Sequence, residues 1–401
     1  MSDPARYDHV IVGGGVAAAG AVQGIRAVST DATIAVLGAE PDEPVYRPDL
    51  SKKLWLEDDA ALDGSTLLEA DPALEVRTGT EVTAIDAGAH EVTLADGSRV
   101  GYRRLLLATG AEPRTLGLAP GPRVVYYRTA ADYRALAEVA TAGSHVIVVG
   151  GGYIGSEMAS ALAQQDVRLT MVLDEQLVMA ATFPEQLARR VTETFTERGV
   201  QVVHGTVADG QVSGSGITVR LEDGSEHSAD AMVVGIGVTP RTGLGEAAGL
   251  EVDDGIVVDD HLRTSAADVF AAGDVARYPD PLLGRRRVEH VDHAEKSGEA
   301  AGRAMAGEDS AYETTPIFWS DLFDDGYEAI GEVSAGLETV VDAAADDLSA
   351  AVVYYLDGGR VRGVLLWNVW DSTPAARDLI AETAEQPVTD PASLRGRIPI
   401  G

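Results

Sequence analysis

Two glycine clusters carry the strongest chemical signal in the chain. One is His9-Val-Ile-Val-Gly13-Gly-Gly-Val-Ala-Ala18; the other is His145-Val-Ile-Val-Val-Gly150-Gly-Gly-Tyr-Ile-Gly155-Ser-Glu157. In each, an apolar run of strand type meets three glycines and then a helix of small residues. Glycine lets the backbone turn sharply and approach a pyrophosphate, whose charge sits on the free N–H groups of the helix start. A single cluster of this kind is a common strand–helix turn. Two in one chain imply two bound dinucleotides, with electrons passing between them.

Further residues fit that chemistry, each against a plainer reading. Glu40 and Asp174 end the second strand of each unit, near the usual spacing of about 20 residues from the glycines. An acid there bonds a ribose 2′-hydroxyl and repels a 2′-phosphate; the alternative is a solvated turn acid. No arginine follows Asp174-Glu175, which favours NADH over NADPH. Asp274 ends the run Asp268-Val-Phe-Ala-Ala-Gly-Asp274, where it could bond a cofactor hydroxyl or be an ordinary turn residue. Glu157 lies near the start of the second helix, where a carboxylate also stabilises a helix N-terminus. Lys52 and Lys53 are adjacent in a chain whose one other lysine is Lys296; solvated surface lysines are the plainer reading. His290 and His293 have the spacing of a metal pair on a helix, but no third ligand is evident, so no metal site is expected. Arg285-Arg286-Arg287 is the only basic triplet, either a docking point for an acidic partner or a solvated loop.

The elements that must position these residues form a repeated β–α–β plan. A strand at Asp8–Val12, a helix over Ala17–Ala27 and a strand at Thr33–Leu37 precede Glu40. Leu50–Leu56 reads as helix, and Glu81–Ile85 with Glu91–Leu94 as a hairpin. The second unit repeats the plan from Ser144, with a helix over Ile154–Ala163 and a strand at Val167–Leu173. Leu105–Arg114 and Ala231–Arg241 resemble each other and read as crossings between two similar domains. From about Pro316 the character changes: three of the four tryptophans and alternating segments such as Ala351–Leu356 and Val361–Trp367 indicate a small β-rich third domain.

Bulk properties set limits. The 401 residues allow two or three domains, and a hydrophobic fraction of 45% is ordinary for a soluble protein. No run approaches the roughly 20 apolar residues of a membrane span. The first strand begins almost at once, leaving no room for a targeting peptide, so the expected location is the cytoplasm. There is no cysteine, which excludes a Cys-x-x-Cys redox pair, a cysteine-held iron–sulfur cluster and thiolate catalysis. A net charge of −33 argues against nucleic-acid binding; it fits either salt adaptation or a coding bias.

Together these motifs resemble the pyridine-nucleotide-dependent flavoprotein oxidoreductases with a separate C-terminal domain, a group that includes ferredoxin and rubredoxin reductases. Gly13–Ala18, Arg47-Pro-Asp-Leu-Ser-Lys52, Ala108-Thr-Gly110, Gly150–Glu157 and Ala272-Gly-Asp274 carry the group pattern. Val288-Glu-His-Val-Asp-His-Ala294, Phe318-Trp-Ser-Asp-Leu322, Gly326-Tyr-Glu-Ala-Ile-Gly331 and Leu366-Trp-Asn368 are most similar to the apoptosis-inducing-factor type. The resemblance implies an α/β fold: two Rossmann-like domains of glutathione-reductase type, the second inserted in the first, plus a small α+β domain. FAD would occupy 1–114 with 239–315, NAD(H) would occupy 115–238, and 316–401 would form the C-terminal domain.

By position, the FAD contacts fall on Gly13, Gly14, Gly15, Val16, Ala17, Glu40, Arg47, Lys52, Val82, Arg128, Asp274, His290, Val291 and Trp319. Those to NADH fall on Gly151, Gly152, Tyr153, Ile154, Glu175, Gly237, Glu289, Glu328 and Asn368, beside Asp174 on the ribose. Lys52 and Glu157 would pair beside the flavin, and Trp319 would cover its edge. Departures from the pattern are Ala39 before Glu40, Asp49 after Arg47-Pro48, Ala181 in place of a lysine near the nucleotide, and a short Val341–Val352 segment. The implied activity is an FAD-dependent NADH oxidoreductase whose external acceptor is an acidic ferredoxin or rubredoxin, a quinone or oxygen. The rival is an NADH-binding redox sensor or scaffold with slow turnover; a homodimer is left open. A flavin monooxygenase fits the lysine and tryptophan motifs poorly, and missing thiols exclude a disulfide reductase.

Overall fold

Val10, Ile11, Val36, Leu105, Leu106 and Leu107 have no water-facing side, and strands buried on both faces belong to a parallel sheet covered by helices. The computed structural model describes residues 4–214 and 216–400. They divide into two compact units: Met1–Arg47, Ala61–Glu112 and Thr239–Pro316; and Pro48–Ala60, Pro113–Val238 and Ile317–Gly401. The fold is α/β, with one glycine cluster in each unit.

In the first unit, Leu74–Arg77, Ile34–Leu37, Ala5–Val12 and Arg99–Leu107 lie side by side and pair in parallel. Val269–Ala271 joins the far side of Arg99–Leu107, also in parallel. The expected hairpin forms from Val82–Asp86 and Glu91–Leu94 and extends this sheet.

Helix Val16–Val28 packs against helix Val291–Ala306 without intervening side chains. A Cβ on Gly20 or Gly24 would lie 2.5 and 2.0 Å from the carbonyl oxygens of Glu295 and Glu299. One on Gly298 or Gly302 would lie 2.2 Å from those of Ala17 and Ala21. Contacts advance together along both helices, so the two run parallel with their N-termini at one end.

The second unit repeats the plan. Gln201–His204, Arg168–Leu173, His145–Val149, Ala231–Val234 and Val124–Tyr126 form a parallel sheet. Helix Tyr153–Ala163 follows the glycines, and an antiparallel sheet spans Val207–Ser213, Gly216–Leu221 and Glu226–Ala229. From Ile317 the chain builds a five-stranded antiparallel sheet, in the order Ile317–Leu322, Asp325–Gly331, Arg360–Trp367, Ala351–Asp357, Glu338–Ala343. Helix Thr373–Glu385 packs on it. Ala351–Leu356 is buried throughout rather than alternating, as expected of a central strand covered on both faces.

The hairpin Ile317–Leu322/Asp325–Gly331 is fastened within this unit at its tip. Phe323, at φ 59, packs edge-on against Phe195 at 5.0 Å, and its N–H donates to Ser160 Oγ at 2.8 Å. Arg198 pairs with Asp324. Among the described residues, no helix is long and apolar enough to cross a membrane.

Candidate functional site

Each glycine cluster builds a cradle by close approach. Gly13 sits at φ +122, and a Cβ there would meet the Ala108 carbonyl oxygen at 2.1 Å. Its N–H donates to Leu37 O at 2.9 Å. Gly150, at φ +101, is excluded in the same way by Gly235 O at 2.4 Å. Gly155 holds its helix on the loop, since a Cβ would fall 2.0 Å from Gly150 O.

Gly152 is different: nothing lies within 4 Å of where its Cβ would be. The open space leaves its backbone accessible to a ligand. Both following helices, Val16–Val28 and Tyr153–Ala163, start without a side-chain cap or an acid in the first turn. Helix Ala130–Ala137, by contrast, carries a full capping box from Thr129 and Asp132. The exposed N–H groups and helix dipole of the glycine-loop helices suit a pyrophosphate, so the chain's residues fit two dinucleotides.

Around the first cradle the unit assembles most of the residues read from sequence. Glu40 pairs with Arg47 at 2.7 Å, and the Arg47 guanidinium lies 3.9 Å from where a Gly15 Cβ would be. Glu40 is thus oriented by the arginine beside the glycine loop. Val82 is buried at the start of its strand. Asp274 is buried in a 3-10 turn over Gly273–Val275, which Ser297 Oγ steadies by accepting from Gly273 N at 3.0 Å.

His290 stands at the N-cap position of helix Val291–Ala306 without a side-chain capping bond; desolvation and then the Arg286 charge push its pKa down. Glu289 accepts from Arg287 at 2.8 Å. His293 turns inward instead, stacked on Tyr278 at 4.4 Å and hydrogen-bonded to Tyr312 at 3.0 Å. Each arginine of the triplet has a partner within the chain, with Arg285 exposed and Arg286 and Arg287 half-buried. Arg285 donates to Val258 O at 2.7 Å, Arg287 pairs with Asp254 and Glu289, and Arg286 lies 3.9 Å from buried Asp280.

The second unit holds the remaining residues. Leu50–Leu56 is not one helix but two short ones, Pro48–Ser51 and Lys53–Leu56, broken at Lys52 itself (φ −133, ψ −90). Trp55 Nε1 donates to Leu50 O at 2.8 Å, and Tyr127 Oη donates to the same carbonyl, which fixes the break. Lys52 Nζ lies 3.3 Å from Glu157 Oε1, with the two side chains 19% and 11% exposed. Two residues that sequence reasoning did not single out complete this cluster. Ser51 Oγ donates to Glu157 Oε2 at 2.6 Å, and Ser320 Oγ donates to Oε1 at 2.5 Å. Their signal was present: Ser51 precedes Lys52 in its motif, and strand alternation sets Ser320 on the opposite face from Trp319.

Trp319 stands 39% exposed and pairs across the hairpin with Glu328. Glu328 Oε2 is buried with no hydrogen-bond partner, and burial followed by the Asp371 charge raises its pKa. A ligand N–H would satisfy that oxygen. Asn368 directly follows strand Arg360–Trp367. At φ 50 its side chain accepts from Gly326 N and donates to Asp325 Oδ1 and Ser349 O, all at 2.8 Å.

Tyr153 packs edge-on against Phe318 at 5.6 Å, and Ile154 follows it in the helix. Asp174 and Glu175 are exposed at the end of their strand. Gly151 O accepts from Met179 N at 2.8 Å, which ties the loop after that strand to the glycines. Gly237, at φ +94, accepts from Arg114 N at 2.9 Å. Arg128 precedes the Thr129 cap and donates its N–H to Asp132 at 3.1 Å.

Known proteins share this arrangement. Residues 7–298 match the family described as pyridine nucleotide-disulphide oxidoreductase. Residues 301–347 match the C-terminal region described as apoptosis-inducing factor, mitochondrion-associated. The chain is 38% identical over 397 residues to the ferredoxin–NAD(+) reductase component of the anthranilate 1,2-dioxygenase system of Burkholderia cepacia, covering 96% of each. It is 34% identical to apoptosis-inducing factor 1 of Dictyostelium discoideum, over 94% of this chain and 79% of that one. Among solved structures, putidaredoxin reductase in its covalent complex with putidaredoxin superposes with a TM-score of 0.86 at 29% identity, over 97% of this chain and 96% of that one.

Proposed function

The chain belongs to the pyridine nucleotide-disulphide oxidoreductase family, and we propose that it carries electrons from NADH through FAD to a ferredoxin-type iron–sulfur protein. It is an FAD-dependent NADH oxidoreductase. The pair of uncapped glycine-loop cradles carries this reading. When bound, FAD takes a hydride from NADH and passes the electrons on singly. The chain has no cysteine, so the electrons leave to an external acceptor rather than through a disulfide. A ferredoxin-type acceptor is supported by the relative from Burkholderia cepacia and by putidaredoxin reductase.

We assign FAD to the region 1–114 with 239–315, NAD(H) to 115–238, and the remainder to a C-terminal domain. FAD is held by Gly13, Gly14, Gly15, Val16, Ala17, Glu40, Arg47, Val82, Arg128, Asp274, His290 and Val291, with Lys52 and Trp319 beside its ring. The NADH phosphates rest on Gly151, Gly152, Tyr153 and Ile154, and its ribose on Asp174 and Glu175, which would repel a 2′-phosphate. Glu328 accepts from the nicotinamide end; Gly237, Glu289 and Asn368 line the nucleotide. The Lys52 ammonium supplies positive charge where negative charge develops on reduction.

The match to the apoptosis-inducing-factor C-terminal region keeps a second reading open, a slow NADH-responsive sensor that changes its oligomeric state. The cytoplasm is the proposed location, which cell fractionation tests.

Anaerobic NADH titration of the purified protein, followed by a ferredoxin, tests the function. Bleaching of flavin absorbance and rapid reoxidation by ferredoxin are expected. Protein without flavin, or flavin untouched by NADH, overturns it. Bleaching with sluggish reoxidation by every acceptor favours the sensor.

A further inference from the structure

Glu157 accepts hydrogen bonds from two hydroxyls and forms an ion pair with Lys52, on two separate chain segments. Lys52 Nζ is the weakest by distance, at 3.3 Å, whereas the hydroxyls of Ser51 and Ser320 lie at 2.6 and 2.5 Å. Both serines are buried, at 3% and 2% exposure. Hydroxyl-to-carboxylate bonds this short are charge-assisted and define where the carboxylate sits. The ammonium then follows the carboxylate.

Neither serine is free to drift. Ser51 ends the short helix Pro48–Ser51, whose Leu50 carbonyl is pinned by Trp55 and Tyr127. Ser320 pairs across the hairpin with fully buried Tyr327. The hairpin tip is held by Phe323 on Phe195 and Ser160.

We propose that Ser51 and Ser320 are positioning residues for flavin reduction: they take up the charge of Glu157 so that Lys52 presents its ammonium outward rather than collapsing onto the carboxylate. The proposal rests on the reading that Lys52 borders the flavin. With both hydroxyls gone, Glu157 would have only Lys52 to answer its charge. The pair would tighten, and less positive potential would reach the flavin.

The test compares Ser51→Ala, Ser320→Ala and the double variant with Ser51→Thr and Ser320→Thr, all as flavin-loaded protein. The readouts are the midpoint potential of the bound flavin, the anaerobic rate of its reduction by NADH, flavin content and thermal midpoint. Each alanine variant is expected to shift the potential more negative and slow reduction about tenfold, the size of one charged hydrogen bond. The threonine variants should restore both. Ser51→Ala lies in a separate short helix, so it tests the idea even where Ser320→Ala folds poorly.

Unchanged potential and rate in the double variant, with normal flavin content, overturn the proposal. So does an equal loss in the hydroxyl-retaining variants, which would mark the serines as packing residues. Failure of the wild-type flavin to bleach with NADH would instead overturn the proposed function, and this inference with it.

Discussion

Trp319 and Glu328 stand directly opposite each other on adjacent antiparallel strands, an exposed indole beside a carboxylate with one buried oxygen lacking a partner. An unpaired buried acceptor costs about 1–3 kcal/mol. Its retention is expected where a ligand completes the bond. Glu328→Ala should therefore weaken NADH binding about tenfold or more while raising the ligand-free stability by about 1 kcal/mol. Titration with NADH and a thermal melt without it check the two signs together; a variant that loses stability and keeps its NADH affinity would contradict this.

Removing Lys52 should separate chemistry from folding. Lys52→Met keeps the apolar stem and leaves Glu157 with its two serine donors. Because the pair is partly solvated, the stability loss should be only about 2 kcal/mol. Flavin reduction should slow about a hundredfold, as when one preorganised charge is removed from a reacting centre. Stopped-flow reduction beside chemical denaturation gives both values.

The glycine-mediated helix contact makes a third expectation. Gly24→Ala would drive a methyl to 2.0 Å from Glu299 O, backbone that cannot yield, and should cost about 3 kcal/mol. Gly64→Ala is the control, since nothing lies within 4 Å of its Cβ position; its stability should hold or rise slightly. Denaturant midpoints distinguish them.

Stability should fall on mild acidification. Burial lowers the pKa of His9 to about 4 and that of His293 to about 3, from an unfolded value near 6.5. A lowered folded pKa means the unfolded chain binds more protons. The stabilisation is complete above about pH 6.5 and is lost as pH falls toward the folded values, at about 1.4 kcal/mol per pH unit for each group. The net charge of −33 works the other way, since acid relieves self-repulsion. Denaturation between about pH 7.5 and 5 in roughly 1 M salt, where the screening length is about 3 Å, isolates the histidines. At fixed neutral pH the same salt should raise the thermal midpoint.

The parallel sheets and both glycine turns were readable because their determinants are local: an apolar run, a residue without a Cβ, a helix of small side chains. The break at Lys52 was not, because it depends on Trp55 and Tyr127 reaching one carbonyl, and Tyr127 lies far along the chain. The two serines on Glu157 escaped for a similar reason; their role exists only where separate segments meet. For Arg285, Arg286 and Arg287 the sequence shows the charges but not the partners that each has within the chain. Asn368 has a left-handed backbone and three side-chain bonds that fasten the end of the hairpin, partners that its place in the sequence does not show.

The side-by-side helices have one more consequence. Parallel dipoles laid together repel, and here both positive ends emerge at the same edge. One end is answered by Asp292, which lies in the first turn of its helix and pairs with Lys296 at 2.7 Å. The other, after Gly15, has no acid in its first turn. With FAD placed on the first glycine loop, as proposed above, its diphosphate would supply the counter-charge that this edge lacks, and holding the cofactor and holding the two helices together would become a single equilibrium. Stripping the flavin should loosen the protein first along the Gly20–Gly24 seam, with faster amide exchange there than in the sheet beneath it.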